Sequence, residues 1–168
     1  MKYLINYQEF KNYFFKKENI YFFLIIFLLF IADRFSKMYV INNFSDNVYF
    51  VSNFINVDLI WNTGIAFGLL SLETPLFYKI VSFLIGMVIL IIFYNCIIFN
   101  NLYKFPFSII LGGALGNFYD RLILGAVPDF IDIHYNNFHW FTFNLADIFI
   151  ILGIIIFLVQ DLFKKKSK

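Results

Sequence analysis

The sequence has few charged residues and a single cysteine. Only 14% of its 168 residues are charged, whereas a soluble domain has about a quarter. Hydrophobic residues make up 61%, more apolar surface than a core of this size can bury, so a lipid bilayer is the expected solvent. A net charge of +2 gives no reason to expect nucleic acid as a partner. Cys96 stands alone, which excludes an intramolecular disulfide and cysteine-pair metal sites.

Four apolar segments are long enough to cross a membrane as helices, which takes about 20 residues each. They lie at residues 20–41, 76–99, 105–124 and 143–163. The first apolar run is followed by Asp33, Arg34 and Lys37 without the small-residue cleavage site of a signal peptide, so we expect it to be retained. The sequence therefore predicts an all-α integral membrane protein with four transmembrane helices.

Basic residues are distributed unequally between the connecting segments. They are Lys2, Lys11, Lys16, Lys17, Lys104, Lys164, Lys165, Lys166 and Lys168. The loops at 42–75 and 123–142 contain no Lys or Arg, so both termini are predicted to be cytoplasmic and these two loops external. The predicted organisation is a cytoplasmic extension at 1–19, one membrane domain at 20–163 and a basic cytoplasmic tail at 164–168.

The two external loops differ in pattern. Residues 48–51 and 54–61 alternate in part between apolar and polar, which predicts short strands and a small β element on the outer side. Residues 132–140 are rich in aromatic side chains, and we expect this stretch to lie in the membrane interface.

Ionisable side chains inside a predicted span are costly and mark candidate functional sites. Four polar residues fall in the outer third of a core about 30 Å thick, if the helices rise about 1.5 Å per residue. They are Asp33, Asn117, Asp120 and Asp147. Asp33 and Lys37 share a helical face, and Arg121 follows Asp120. Asp33, Lys37, Asp120 and Arg121 could therefore be ion pairs that neutralise one another and allow the helices to pack. The sequence supports this structural role as well as a role in catalysis.

Asp129 and Asp147 have no basic neighbour in sequence. Two acids at one depth of a dry site can share a proton, so that one carboxylate activates water and the other polarises a carbonyl. Gly112, Gly113 and Gly116 form a face of small residues that predicts close helix packing nearby.

Five short blocks of sequence follow one another between the first and last of these aspartates. They read DRFSK at 33–37, NTGIAFG at 62–68, GGALGNFYDR at 112–121, VPDFID at 127–132 and FNLAD at 143–147. Together, in this order, they resemble the lipoprotein signal peptidase family, also called signal peptidase II. Each block is weak alone, and the set of five on a four-helix chain is specific.

The resemblance implies an intramembrane aspartic endopeptidase that uses no metal or cofactor. Asp129 and Asp147 match the catalytic pair. Residues that line the site and hold substrate are Asn62, Asn117, Arg121 and Asn144, and supporting residues are Asp33, Lys37 and Asp120. The implied substrates are prolipoproteins cut just before a diacylglyceryl-modified cysteine. The implied setting is the bacterial cytoplasmic membrane, with the site toward the outer face, membrane lipids around it and a monomeric enzyme.

Two features depart from the family pattern. Pro128 stands where the family more often has an aliphatic residue; it removes a backbone N–H and favours an extended Val127. The polar extension at 1–19 is also longer than the family usually carries, and we expect it to be dispensable.

Three other functions are weighed against this one. A zinc site at Asp132, His134 and His139 is disfavoured, because the spacing of the two histidines does not present both on one helical turn and no HExxH motif is present. A small proton-coupled transporter or channel would need acids arranged as a ladder across the membrane, whereas these cluster at one depth. A structural assembly subunit would leave the five blocks unexplained.

Overall fold

The computed structural model describes residues 14, 16–64, 75–98, 101–136 and 138–166. The helices there are α1 (Lys17–Asn43), α2 (Pro75–Ile98), α3 (Asn101–Ile123) and α4 (Leu145–Lys166). The strands are β1 (Tyr49–Ser52), β2 (Ile55–Asn62), β3 (Val127–Tyr135) and β4 (Phe138–Phe143). All four helices overlap the predicted segments and differ from them by a few residues at their ends. Most of the predicted extension 1–19, the motif residues 65–68 and the last two residues of the tail lie outside the described residues.

Two of the helices are apolar enough to cross a membrane by length and composition. The stretches that meet this criterion are Tyr78–Ile97 and Leu145–Lys164, with mean hydropathies of 2.6 and 2.4. Helices α1 and α3 are 27 and 23 residues long and carry most of the ionisable side chains of the predicted spans. Large apolar side chains on the outer surfaces of the helices are exposed, as at Phe35 and Leu90, which is typical of a surface covered by lipid.

Helix α3 lies between α1 and α4, and its glycines permit the close approach that the sequence predicts. A Cβ at Gly112 would collide with α1, and one at Gly113 would overlap the backbone oxygen of Ala146 in α4. A Cβ at Gly116 would overlap the carboxylate of Asp33. The small face therefore brings one acidic side chain of α1 against α3 and the first turn of α4.

The strands form one antiparallel sheet in the order β1-β2-β3-β4. The hairpin of β1 and β2 confirms the predicted strands of the first loop. The second loop, predicted as an aromatic segment in the membrane interface, also forms a hairpin. The predicted small β element is therefore only half of a four-stranded sheet. The first four residues of β3 are all buried, so this strand lacks the alternation of a half-exposed strand.

Pro128 lies inside β3 but does not break the sheet. It pairs with Trp61 of β2, whereas pairing of β3 with β4 begins only at Ile131 and Phe143. The proline therefore occupies a stretch with one neighbouring strand, which is where a sheet tolerates the missing N–H. Val127 is extended, as the proline predicts.

Candidate active site

Asp147 is held by a reciprocal pair of hydrogen bonds at the start of α4. The Asn144 side-chain oxygen accepts the Asp147 N–H at 3.1 Å, and Asp147 Oδ2 accepts the Asn144 N–H at 3.2 Å. This is a capping box, in which a residue before the helix and one in its first turn satisfy each other's backbone N–H. The partial positive charge of a helix N-terminus also stabilises a carboxylate there. The cap therefore fixes the position of Asp147.

Two amide donors hold the carboxylate of Asp129 on β3. Its Oδ2 accepts from Asn62 Nδ2 at 2.8 Å, and its Oδ1 accepts from Asn144 Nδ2 at 2.5 Å. Asn144 thus contacts both aspartates, one through its side-chain amide and the other through the cap. Asp147 receives a further bond from Asn117 Nδ2 at 2.8 Å. Within the described ranges neither aspartate forms a salt bridge.

Burial raises the pKa of Asp129 from its ordinary 3.8 to about 6, and the nearby charge of Asp147 acts in the same direction. The hydrogen bonds from Asn62 and Asn144 and the charge of Lys37 oppose the rise in pKa. The side chain is buried, at 4% exposure. Desolvation penalises the ionised form of a buried carboxyl, so Asp129 holds a proton far more readily than an exposed aspartate.

Next to this pair lies a buried cluster of charges between α1 and α3. Lys37 Nζ contacts Asp33 Oδ2 at 2.8 Å, Asp120 Oδ2 at 2.7 Å and Asn117 Oδ1 at 2.8 Å. Arg34 forms an ion pair with the other oxygen of Asp120. The predicted pairing of Asp33 with Lys37 is present. Arg34 was not among the candidate site residues, although its place in the first block could have identified it.

Arg121 is buried, yet in the part of the chain that the structure describes it makes no ion pair. It donates to the backbone oxygens of Asn117 at 3.2 Å and Gly64 at 3.4 Å. The alternative that Asp120 and Arg121 neutralise each other is therefore wrong, because Asp120 pairs with Lys37 and Arg34 instead.

Six of the nine predicted site residues line one cavity of about 190 Å³. They are Asn62, Asn117, Arg121, Asp129, Asn144 and Asp147. Apolar side chains, including Ile85, Val127 and Ile150, complete its wall. The other three, Asp33, Lys37 and Asp120, form the charge cluster beside it. These polar groups therefore come together from two strands (β2 and β3), two helices (α3 and α4) and the residue that caps α4.

Asp132 and the two histidines lie apart from this cavity. Asp132 Oδ2 and His139 Nδ1 are 2.7 Å apart, and the rings of His134 and His139 stack at 5.4 Å. Among residues 14, 16–64, 75–98, 101–136 and 138–166, no group of three side chains is suited to hold a metal ion.

Two carboxylates, one buried and one half-buried, are held by amides in a helical protein with an apolar surface. This arrangement is expected of an aspartic membrane peptidase. The chain matches the family described as signal peptidase (SPase) II over residues 25–163. It belongs to the signal peptidase II family, and it is a peptidase.

Relatives with the name lipoprotein signal peptidase cover most of the chain. That of Pelagibacter ubique (strain HTCC1062) is 43% identical over 148 residues, which cover 86% of this chain and 89% of the relative. That of Francisella tularensis subsp. novicida (strain U112) is 36% identical over 152 residues, covering 87% and 94%. That of Rickettsia conorii (strain ATCC VR-613 / Malish 7) is 40% identical over 149 residues, covering 85% and 73%.

Two solved structures, each described as a bacterial membrane enzyme determined by the in meso method, share the fold. The one at 2.3 Å resolution has a TM-score of 0.72 at 29% identity, over 88% of this chain and 90% of that one. The one at 1.9 Å has a TM-score of 0.65 at 29% identity, over 82% and 90%. The chain is therefore a bacterial membrane protein.

Proposed function

We propose that Asp129 and Asp147 are the catalytic pair with which this lipoprotein signal peptidase removes the signal peptide of prolipoproteins, cutting just before the lipid-modified cysteine. The observation that carries this proposal is the contact of Asn144 with both carboxylates in one cavity. The chain's membership of a peptidase family argues against the alternative of a proton-coupled transporter or channel.

The two aspartates share one proton and have different surroundings. The ionised carboxylate of Asp147 takes a proton from water, and the hydroxide adds to the carbonyl carbon of the scissile bond. The protonated carboxyl of Asp129 gives its proton to the carbonyl oxygen as the hydroxide adds. Asp147 then passes the proton it took from water to the leaving amine as the C–N bond breaks, and Asp129 regains its proton from the hydroxyl group as the carbonyl re-forms. The helix N-terminus favours charge on Asp147 and not on Asp129, so we assign the shared proton to Asp129, whose pKa is raised by burial. Neither step requires a cofactor.

The polar residues of the cavity divide into two roles. The amide nitrogens of Asn62, Asn117 and Asn144 hold the aspartates. Arg121 Nε is buried and has no hydrogen-bond partner among the described residues. An unpaired buried donor is costly, so we assign the Arg121 Nε–H to a carbonyl oxygen of the substrate backbone. Asn62 borders the same space and contacts the substrate beside Asp129.

A groove between α2 and α3 continues from the site. Its cavity of about 940 Å³ shares Arg121 with the catalytic cavity, and its other lining includes Met87, Leu90, Leu115 and Phe118. A mostly apolar groove that opens beside the scissile bond suits an acyl chain of the substrate's lipid group, because such a chain needs no hydrogen-bond partner and can move from lipid to an apolar protein wall without a desolvation cost. We assign the groove to that chain.

The proposed setting is the bacterial cytoplasmic membrane, with four spanning helices, both termini inside, the site and sheet toward the outer face, and one chain as the working unit. The lysine distribution and the two strongly apolar helices support this arrangement. Reporter fusions after Lys168 and near Lys104 should read cytoplasmic, and one near Asn53 should read external. An external C-terminus would contradict the topology.

The proposed reaction is tested by depleting the protein from its own cells. Uncut prolipoprotein that already carries its lipid should accumulate, and the parent chain expressed in trans should restore cleavage. Normal processing after depletion would contradict the proposed substrate.

A further inference from the structure

We propose that Lys37 is a positioning residue for the catalytic pair: it fixes the side-chain amide of Asn117 so that the amide always presents a donor to Asp147. The inference rests on the proposed function, and it assigns Lys37 a part in the reaction beyond the stability of the charge cluster.

The orientation of Asn117 follows from its two neighbours. An ammonium group only donates hydrogen bonds, so the amide atom that faces Lys37 Nζ at 2.8 Å is the oxygen. The nitrogen then faces Asp147 Oδ1, also at 2.8 Å. A flipped amide would set its N–H groups against the ammonium and its oxygen against the carboxylate, which loses two charge-assisted hydrogen bonds.

Lys37 has little freedom to move. It is fully buried at 0% exposure and donates hydrogen bonds to Asp33 and Asn117. Asp120 Oδ2 lies 2.7 Å from the ammonium as an ion pair without a hydrogen bond. Asp33 also accepts the backbone N–H of Ala146 at 3.0 Å through its other oxygen. The same ion pair therefore fixes the first turn of α4, from which Asp147 extends.

The consequence is a change in the pH dependence of the reaction. Without the ammonium, the Asn117 amide is free to turn its oxygen toward Asp147, and an acceptor there favours the protonated carboxyl. The ionised carboxylate of Asp147, which is the base of the reaction, then forms only at higher pH. The charged groups that face Asp147 are Asp129 from β3, Lys37 from α1 and Arg121 from α3, and the test changes only Lys37 among them.

Replacing Lys37 alone strands negative charge, so the test uses Lys37→Met combined with Asp33→Asn, which keeps the cluster neutral. The matched control is His139→Gln combined with Asp132→Asn, which removes a hydrogen-bonded pair of ionisable side chains outside the cavity and leaves every contact of Lys37 in place. Rates of cleavage of a lipidated precursor are measured with purified enzyme between pH 5 and 9.

The Lys37 double variant should keep KM near the parent value, lose kcat by about 10-fold at pH 6 through misplacement of the base, and recover toward pH 9. The control should keep the parent pH profile. In an Asn117→Ala background the Lys37 double variant should cause no further loss, because both changes remove one interaction. A parent-like pH profile, or losses that multiply in that background, would overturn the proposal.

A second variant, which keeps the positive charge at position 37, tests the proposal if the double variant does not accumulate in the membrane. Lys37→Arg retains the cation, but a larger, planar guanidinium cannot reproduce both hydrogen bonds of the ammonium, to Asp33 and to Asn117, in the same buried space. In this variant the rise of kcat on the acidic side of the pH profile should also move to higher pH. A rise at the parent pH would overturn the proposal. Asp129→Asn and Asp147→Asn are run alongside. Cleavage by either would refute the catalytic pair, whereas their inactivity beside parent-like Lys37 variants would refute only the positioning role.

Discussion

Asn62, the last residue of β2, donates its side-chain amide to the carboxylate of Asp129 at 2.8 Å. The oxygen of the same amide accepts the backbone N–H of Gly64 at 2.8 Å. The turn after the strand therefore decides which end of the Asn62 amide faces Asp129. Through this bond the hairpin of β1 and β2 takes part in setting the surroundings of one catalytic carboxyl.

We expect Asn62→Ala to lower kcat by up to about 10-fold with little effect on abundance, because one hydrogen bond to a neutral carboxyl contributes about 0.5–1.5 kcal/mol. The lost bond also raises the pKa of Asp129 further, since Asn62 opposes its rise. Membrane abundance and cleavage rate are measured together. Asn53→Ala, in the exposed turn between β1 and β2, is the control. Activity equal to that of the control would make the hairpin a simple connection.

Asp33→Ala should lower the amount of protein as well as its activity. The carboxylate is fully buried between Lys37 and the N–H of Ala146, and removing one partner of a buried pair costs about 3–5 kcal/mol because the other is left unpaired. Quantitative blots of membranes give the abundance, with Asp46→Ala, an exposed aspartate, for comparison. Normal abundance without activity would instead assign Asp33 a direct chemical role.

Asp129 should reduce stability at neutral pH. Its pKa is about 6 in the folded chain and about 3.9 when unfolded. The folded state therefore binds the proton more tightly, and stability present below pH 4 is lost as pH rises through 6. When Asp129 is fully ionised, the free energy of unfolding is lower by about 3 kcal/mol than when it is protonated. The difference in melting temperature between Asp129→Asn and the parent should become more positive from pH 4.5 to pH 7.5. A difference that does not change with pH would contradict the shifted pKa.

The proposed acyl groove is tested by narrowing it. Met87 lines the groove and is 45% exposed, so Met87→Trp should fold and should raise KM for a lipidated precursor with less effect on kcat. Val88, the next residue on α2, is exposed but does not line the groove, and Val88→Trp is the matched control. Equal KM values for the two variants would remove the groove from substrate binding.

The sequence predicts contacts within one helix better than contacts between elements. Asp33 and Lys37 pair because residues four apart share a helical face. Their contacts with Asn117 and Asp120 depend on how α1 packs on α3, which Gly116 permits but no local pattern specifies.

Two features of the site had weaker or overlooked signals. The start of β3 is buried on both faces, so no alternation marked the second hairpin. The spacing of Asn144 and Asp147 is that of a capping box, which is readable from sequence as a helix start. The Asn144–Asp147 spacing therefore predicts, from sequence alone, that Asp147 lies in the first turn of α4.

The central claim is that Asp129 and Asp147 act as one unit, and the most direct measurement is the cleavage rate of purified Asp147→Asn on a lipidated precursor. The substitution keeps the shape of the side chain but removes the base, so we predict no detectable cleavage. Asp129→Asn should behave alike, and the double variant should be no worse than either single one, because residues that act together do not add. Asp132→Asn, outside the cavity, should keep substantial activity. Cleavage by Asp147→Asn at near the parent rate would contradict the two-aspartate account.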